Sequence, residues 1–298
     1  MTRRMLIVLA LLSLGGCDAD VTAVTGTERP FSIYGVLSPD LATQKALVYP
    51  IEGTLQPRGA EPLDAVVQSV DLVSGEERIW MDSLVVDSAG LTEHVYQAPF
   101  LAEYGHTYRL SVTRSDGAES FVETRVPPRT EVATGAATLL PGIVTLPARI
   151  EGDAPRLLRI VVAYQIGFVP LSGAPELLEV PLAYDGRQDR TEYGWVIPID
   201  LAGDFDRLES AAVSASGSTL DQNYGVRVEG IRLRLIVASE EWDPPGGLFD
   251  PEVLVQAGTM TNVENGYGFV AAGYRHDAPL ELPRAEVLEA AGFTVVSQ

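Results

Sequence analysis

The sequence predicts a mostly β protein, built as two β-rich domains with a few short helices. Two observations predict it. Apolar and polar residues alternate with period two through much of the chain, in short runs separated by turn signals. Helical spacing is confined to two short stretches, one near residue 205 and one near the C-terminus.

The first seventeen residues stand apart from that pattern. Arg3-Arg4 supply a positive start, and Met5 to Leu14 form an apolar run too short to span a bilayer. Leu14-Gly15-Gly16-Cys17 closes it with small residues ahead of the only cysteine. A secretory signal has this shape. Its end resembles a bacterial lipobox, in which the thiol is acylated and the chain is cut before the Cys. Residues 1–16 are therefore expected to be a lipoprotein signal peptide and Cys17 the lipidation site. The alternative is a chance thiol beside an ordinary cleavage site. Thr2 to Leu6 also looks like a twin-arginine export signal, which the ordinary need for positive charge explains better. Multiple acyl chains on Cys17 would hold the protein on a membrane without a transmembrane helix. Residues 17–30 are small, polar and aperiodic, a flexible linker able to reach up to roughly 40 Å. Asp18 and Asp20 resemble sorting signals that set which membrane or face a lipoprotein reaches.

Strands begin at Phe31, where Phe31 and Ile33 alternate with Ser32 and Tyr34. Val66 to Leu72 and Leu84 to Val86 are further strand candidates. The clearest is Thr107 to Thr113, with Tyr108, Leu110 and Val112 on one face. Asp116-Gly117 and then Phe121 to Val126 complete a hairpin. Tyr104 to Tyr108 resembles the approach to the penultimate strand of fibronectin type III or immunoglobulin-like sandwiches. Residues 31–127 are accordingly expected to be an immunoglobulin/fibronectin-III-like β-sandwich, closed by the stiff Pro127-Pro128. A second β-rich domain is expected over 130–298. Its strands are Leu157 to Phe168, Leu177 to Leu182, Gly194 to Ile199 and Val226 to Val237. Asp200 to Ala212 places Leu201, Phe205, Leu208 and Ala212 on one helical face. Pro283 to Ala291, followed by Gly292, predicts a short terminal helix.

Composition restricts the partners. The chain carries a formal net charge of -20, and loss of Arg3 and Arg4 with the signal takes it to -22. Nucleic acid and anionic lipid are poor partners for such a surface. Twenty of the 21 basic residues are Arg and only Lys45 is Lys. A saline habitat or GC-rich coding explains that bias equally well. Self-repulsion should be screened by salt, so the thermal midpoint of a soluble form is expected to rise as sodium chloride is added toward about 0.15 M and above. A flat or falling midpoint would show that the acids are spread or paired. With one Cys, disulfides do not stabilise the fold, and His94, His106 and His276 are too scattered for a zinc site.

No nucleophile elbow, Ser-x-x-Lys, His-Glu-x-x-His or phosphate-cradling loop is present, and no catalytic residue or cofactor is expected. Asp200, Asp204, Asp206 and Glu209 could gather oxygen ligands for calcium, but they lack the calcium-loop spacing. A charged outer helix face is the better reading of them. Glu240, Glu241, Trp242, Asp243 and Phe249 mix acids and aromatics on a Pro/Gly loop. Such a loop suits ligand or partner recognition; Trp242 and Phe249 tucked inward to plug the sandwich is the plainer alternative.

Near the end, Asn262-Val263-Glu264-Asn265-Gly266-Tyr267-Gly268-Phe269 carries a tight-turn signal at Asn265-Gly266, with Gly266 expected at positive φ. The string resembles the closing motif of the bacterial lipoprotein family of domain of unknown function 4249. Ile33 to Pro39 and Gly105 to Val112 resemble two further motifs of that family. Its members often accompany TonB-dependent receptors, so the resemblance implies a lipid-anchored outer-membrane protein, on the periplasmic or cell-surface face. It would act by binding as an accessory to an uptake receptor. The alternatives are a structural or adhesive envelope protein contacting another protein through its sandwich, and a hydrolase with a dispersed site.

Overall fold

The computed structural model describes residues 29–51, 61–86, 92–171, 173–217, 219–221, 224–242 and 261–295. Cys17, the linker as far as residue 28, Asp243 and Phe249 lie outside them. The described chain is mostly β and sandwich-like, with several sheets and only two helices among its described elements.

The first half runs β1 (Phe31–Leu37), β2 (Gln44–Pro50), β3 (Val66–Asp71), β4 (Glu77–Ile79), β5 (Met81–Val86), β6 (Thr92–Ala98), β7 (Thr107–Thr113) and β8 (Glu119–Arg125). The second runs β9 (Glu131–Thr134), β10 (Thr138–Leu140), β11 (Ile143–Glu151), β12 (Arg156–Phe168), β13 (Glu176–Ala183), β14 (Asp189–Thr191) and β15 (Gly194–Asp200). Helix α1 (Leu201–Ser216), β16 (Arg227–Ala238), β17 (Gly266–Leu280) and helix α2 (Ala285–Ala290) complete it.

Local pattern accounts for most of these elements. β7 buries Tyr108, Leu110 and Val112 and pairs with β8 across the Asp116-Gly117 turn, where Gly117 takes φ 86°. The Glu103 amide donates to Tyr108 Oη at 2.9 Å, the tie of a tyrosine corner. Asp71, the register partner of Tyr108, closes the same end of this sheet through His106 Nδ1 at 2.8 Å and the amides of Val73 and Ser74. Burial pushes its carboxyl up, but those bonds outweigh burial and hold it at about 2. Helix α1 starts where the Asp200 side chain accepts from the Gly203 amide and ends at Gly217 in the left-handed region.

Three sheets build the described residues. β4-β3-β7-β8 is the first, and β10-β11-β15-β14, with β9 on β11, is the second. The third has eight strands in the order β13-β12-β16-β17-β1-β2-β6-β5 and runs through both halves. Strand β17 makes it continuous. Its Gly266–Ala272 stretch lies parallel to β1, and Gly273–Leu280 lies antiparallel to β16.

Two apolar cores follow. One is drawn from Val144 to Phe293, with Tyr164, Ile166, Leu208 and Leu233 among its buried members. The other holds Phe31, Ile33, Val48, Tyr96, Leu110 and Val122, and also Val263, Val270 and Ala272. The first sandwich therefore does not close within residues 31–127. It takes a parallel strand from the far end of the sequence, a pairing that no local period encodes.

The Asn262-to-Phe269 string builds that junction. The Asn262 side chain pairs with the Val270 backbone in both directions, at 2.6 and 3.0 Å. Glu264 and Phe121 exchange two backbone bonds, and Asn265 Nδ2 donates to the Glu119 carbonyl at 2.7 Å. The positive φ falls on Asn265, at 51°, and on Gly268, at 103°, rather than on Gly266. Gly266 is needed for a different reason: a Cβ there would meet Val263 Cγ1 at 2.6 Å and the Phe31 carbonyl at 2.7 Å.

Candidate functional site

The outward positions of the eight-stranded sheet are unexpectedly apolar around β1 and β2. In β1 and β2, Ile33, Ala46 and Val48 enter the first core, which sends Tyr34, Val36, Lys45, Leu47 and Tyr49 to the opposite face. Val95 of β6 and Phe269 of β17 lie on that face beside them, since Leu47 pairs with Val95 and Tyr34 with Phe269. Trp242 reaches the same face from the end of β16. Its amide donates to the Ser239 carbonyl at 3.2 Å, and Ser239 is tied to Ala272 by bonds of 2.9 and 3.0 Å.

Aromatic contacts run across the surface. Trp242 meets Phe269 edge to face, with centroids 5.5 Å apart, and Tyr34 meets Tyr49 at 6.2 Å. Tyr49 Oη donates to Glu93 at 3.2 Å, and Arg29 lies 4.5 Å over the Tyr267 ring. Burial alone raises the Tyr34 hydroxyl above its ordinary value, so the ring is neutral at physiological pH. Between these rings runs a groove of about 370 Å³, lined by Tyr34, Val36, Lys45, Leu47, Val95, Trp242 and Phe269 among others. That is within the roughly 300–1,000 Å³ of small-ligand sites.

The loop expected to act as one unit is divided. Trp242 joins the sheet groove, whereas Glu240 and Glu241 line a smaller cleft of about 130 Å³ with Arg125, Asp153 and the prolines that join the halves. A third cavity, about 680 Å³, is lined by Arg149, Glu151, Thr191, Tyr193 and Trp195.

The acids of α1 also divide. Asp200 caps the helix, and Asp206 and Glu209 are exposed, but Asp204 is 1% exposed and faces the second core. The outer-face reading fails for Asp204 because it shares its helical face with Leu201, Leu208 and Ala212. It accepts from Tyr164 Oη at 2.7 Å and Tyr184 Oη at 2.5 Å. No group of acids and His that could hold a metal ion occurs among the described residues.

His94 is buried within its strand. It sits on β6, 2% exposed, with Nδ1 2.7 Å from Asp82. Its Nε2 meets no hydrogen-bond partner among the described residues.

No protein-family model and no curated protein matches the chain. Among solved structures, the pullulanase from Anoxybacillus sp. LM18-11 is similar over 80% of this chain at 14% identity. The match spans 27% of the pullulanase chain and has a TM-score of 0.22, too low to carry an argument. No described helix is long and apolar enough to cross a membrane.

Sequence reasoning reached Trp242 but missed Tyr34, Lys45, Leu47, Val95 and Phe269. The signal was present in β1 and β2. Tyr34, Val36, Leu47 and Tyr49 are apolar or aromatic at the alternate positions where an exposed sheet face is ordinarily polar.

Proposed function

We propose that this protein is an exported, lipid-anchored envelope protein that acts by binding and not by catalysis, as an accessory to a TonB-dependent outer-membrane receptor. Its binding surface is the aromatic face of the eight-stranded sheet. The carrying observation is the groove itself, where Trp242, Phe269, Tyr34 and Leu47 converge on an outward sheet face. The lipobox ending at Cys17 supports the anchor, and the Asn262-to-Phe269 string supports the receptor link.

Two substitutions test the two parts of this reading. Cys17→Ser should release the protein in soluble form with its folded domains intact; a variant that stays membrane-bound and uncleaved refutes the anchor. Trp242→Ala removes a half-buried ring and should cost about 1–2 kcal/mol of stability. Co-purification with the outer-membrane receptor, scored per folded molecule, should fall at least tenfold in Trp242→Ala (about 1.4 kcal/mol). Unchanged association would make the ring core packing and move the binding site elsewhere.

One observation favours a second reading, adhesion through a sheet edge. β5 ends the eight-stranded sheet and exposes Met81 (72%), Leu84, Val85 and Val86 (65%) without a lysine or proline to blunt it. An extended segment of another protein could add to that edge.

A further inference from the structure

Lys45 is the only lysine in a chain that carries 41 acidic residues, and it lines the aromatic groove. It is exposed and makes no ion pair among the described residues. The groove beneath it is elongated. Phe269, Tyr34, Leu47 and Val95 belong to four adjacent strands, β17, β1, β2 and β6, and so extend over about 14 Å. Lys45 and Val36 are cross-strand partners at one flank of this row, and Tyr49 with Glu93 is at the other.

A long apolar trough with one cation, Lys45, among its lining residues fits one chemistry. A neutral polar ligand would leave the trough unused, and a bulky polyanion would meet only one positive charge. Resting on the binding-face reading above, we infer that the groove takes a single-chain anionic amphiphile. Its acyl tail lies along the Phe269-Tyr34-Leu47-Val95 row and its carboxylate meets the Lys45 ammonium. Burial of the tail supplies most of the affinity, at about 0.8 kcal/mol per buried methylene. The ammonium selects the head group and contributes less, because an exposed ion pair is worth up to about 1 kcal/mol.

A unique lysine makes the test direct. In the mature chain carrying Cys17→Ser, dodecanoate should bind by calorimetry and slow acetylation of Lys45, read by peptide mass spectrometry, without slowing that of the α-amino group. Lys45→Met should weaken dodecanoate binding roughly fivefold. Lys45→Arg should restore it, and dodecanol should bind wild type and Lys45→Met equally. Leu47→Asp, which places a carboxylate in the trough, should weaken both ligands at least tenfold (about 1.4 kcal/mol).

Three results would overturn the inference. Dodecanoate could fail to bind. It could bind equally to Lys45→Met. Phosphatidylglycerol vesicles alone could protect Lys45, which would make the face a membrane contact. Receptor association that persists while dodecanoate fails would refute only the ligand class. Loss of any Trp242 dependence in both assays would refute the binding face itself.

Discussion

Gly268→Ala should lower the stability of the protein by at least about 3 kcal/mol, or prevent folding, although it adds a single methyl group. Two effects coincide at this residue. Its φ of 103° is one that L side chains rarely adopt, a strain of about 1–3 kcal/mol by itself. A Cβ would also lie on the Ile33 carbonyl oxygen. That carbonyl cannot retreat, because β1 is held between β2 and β17 and Ile33 is fully buried. Gly75→Ala is the comparison. Gly75 has φ 77° but nothing within 4 Å of a Cβ, so its variant should carry the strain alone, about 1 kcal/mol. Urea unfolding of the two variants beside wild type, each carrying Cys17→Ser, measures both. Equal losses would mean that β1 and β17 do not approach as closely as described.

Asp204→Ala should cost about 3–5 kcal/mol, because it leaves the Tyr164 and Tyr184 hydroxyls buried without their acceptor. Its pH dependence has a definite sign. Burial raises the Asp204 carboxyl, and the two tyrosine bonds and the more distant Arg207 only partly oppose it. The folded state thus holds the proton more tightly than the unfolded chain does. The stability this gives is full below the ordinary carboxylate range and is lost as pH rises through the folded-state pKa. Asp204→Asn keeps an acceptor but does not titrate. Its deficit relative to wild type should therefore shrink between about pH 4 and about pH 8. A deficit that grows over that interval would show Asp204 to be held ionised, its tyrosine bonds outweighing burial.

Much of the architecture was legible because it is local. The β7–β8 hairpin, α1 and the terminal helix each follow from residues within one or two turns of each other. Interior choices were harder. Asp204 was grouped with its acidic neighbours by composition, yet its spacing from Leu201 and Leu208 already placed it on the apolar stripe. At the Asn265-Gly266 turn, the dipeptide marked a real change of direction, but the positive φ fell one residue earlier. Asparagine tolerates the left-handed region there, while the crowding of Val263, Phe31 and Ser120 demands the glycine. The groove was not legible as a site. Its residues come from β1, β2, β6, β17 and the end of β16, and only the register of the eight-stranded sheet brings them together.

The parallel pairing of β1 with β17 also governs when the protein can fold. Phe31 and Gly266 are register partners, so the first core cannot be completed until nearly the whole chain is available. Closing so long a loop is entropically slow, and the contact order is correspondingly high. The early strands, left alone, would lack Val263, Val270 and Ala272 and keep an open sheet edge at β1. Under the export proposed above, this delay would be an advantage. The segment that must travel as a thread is the one unable to fold before its last strand arrives.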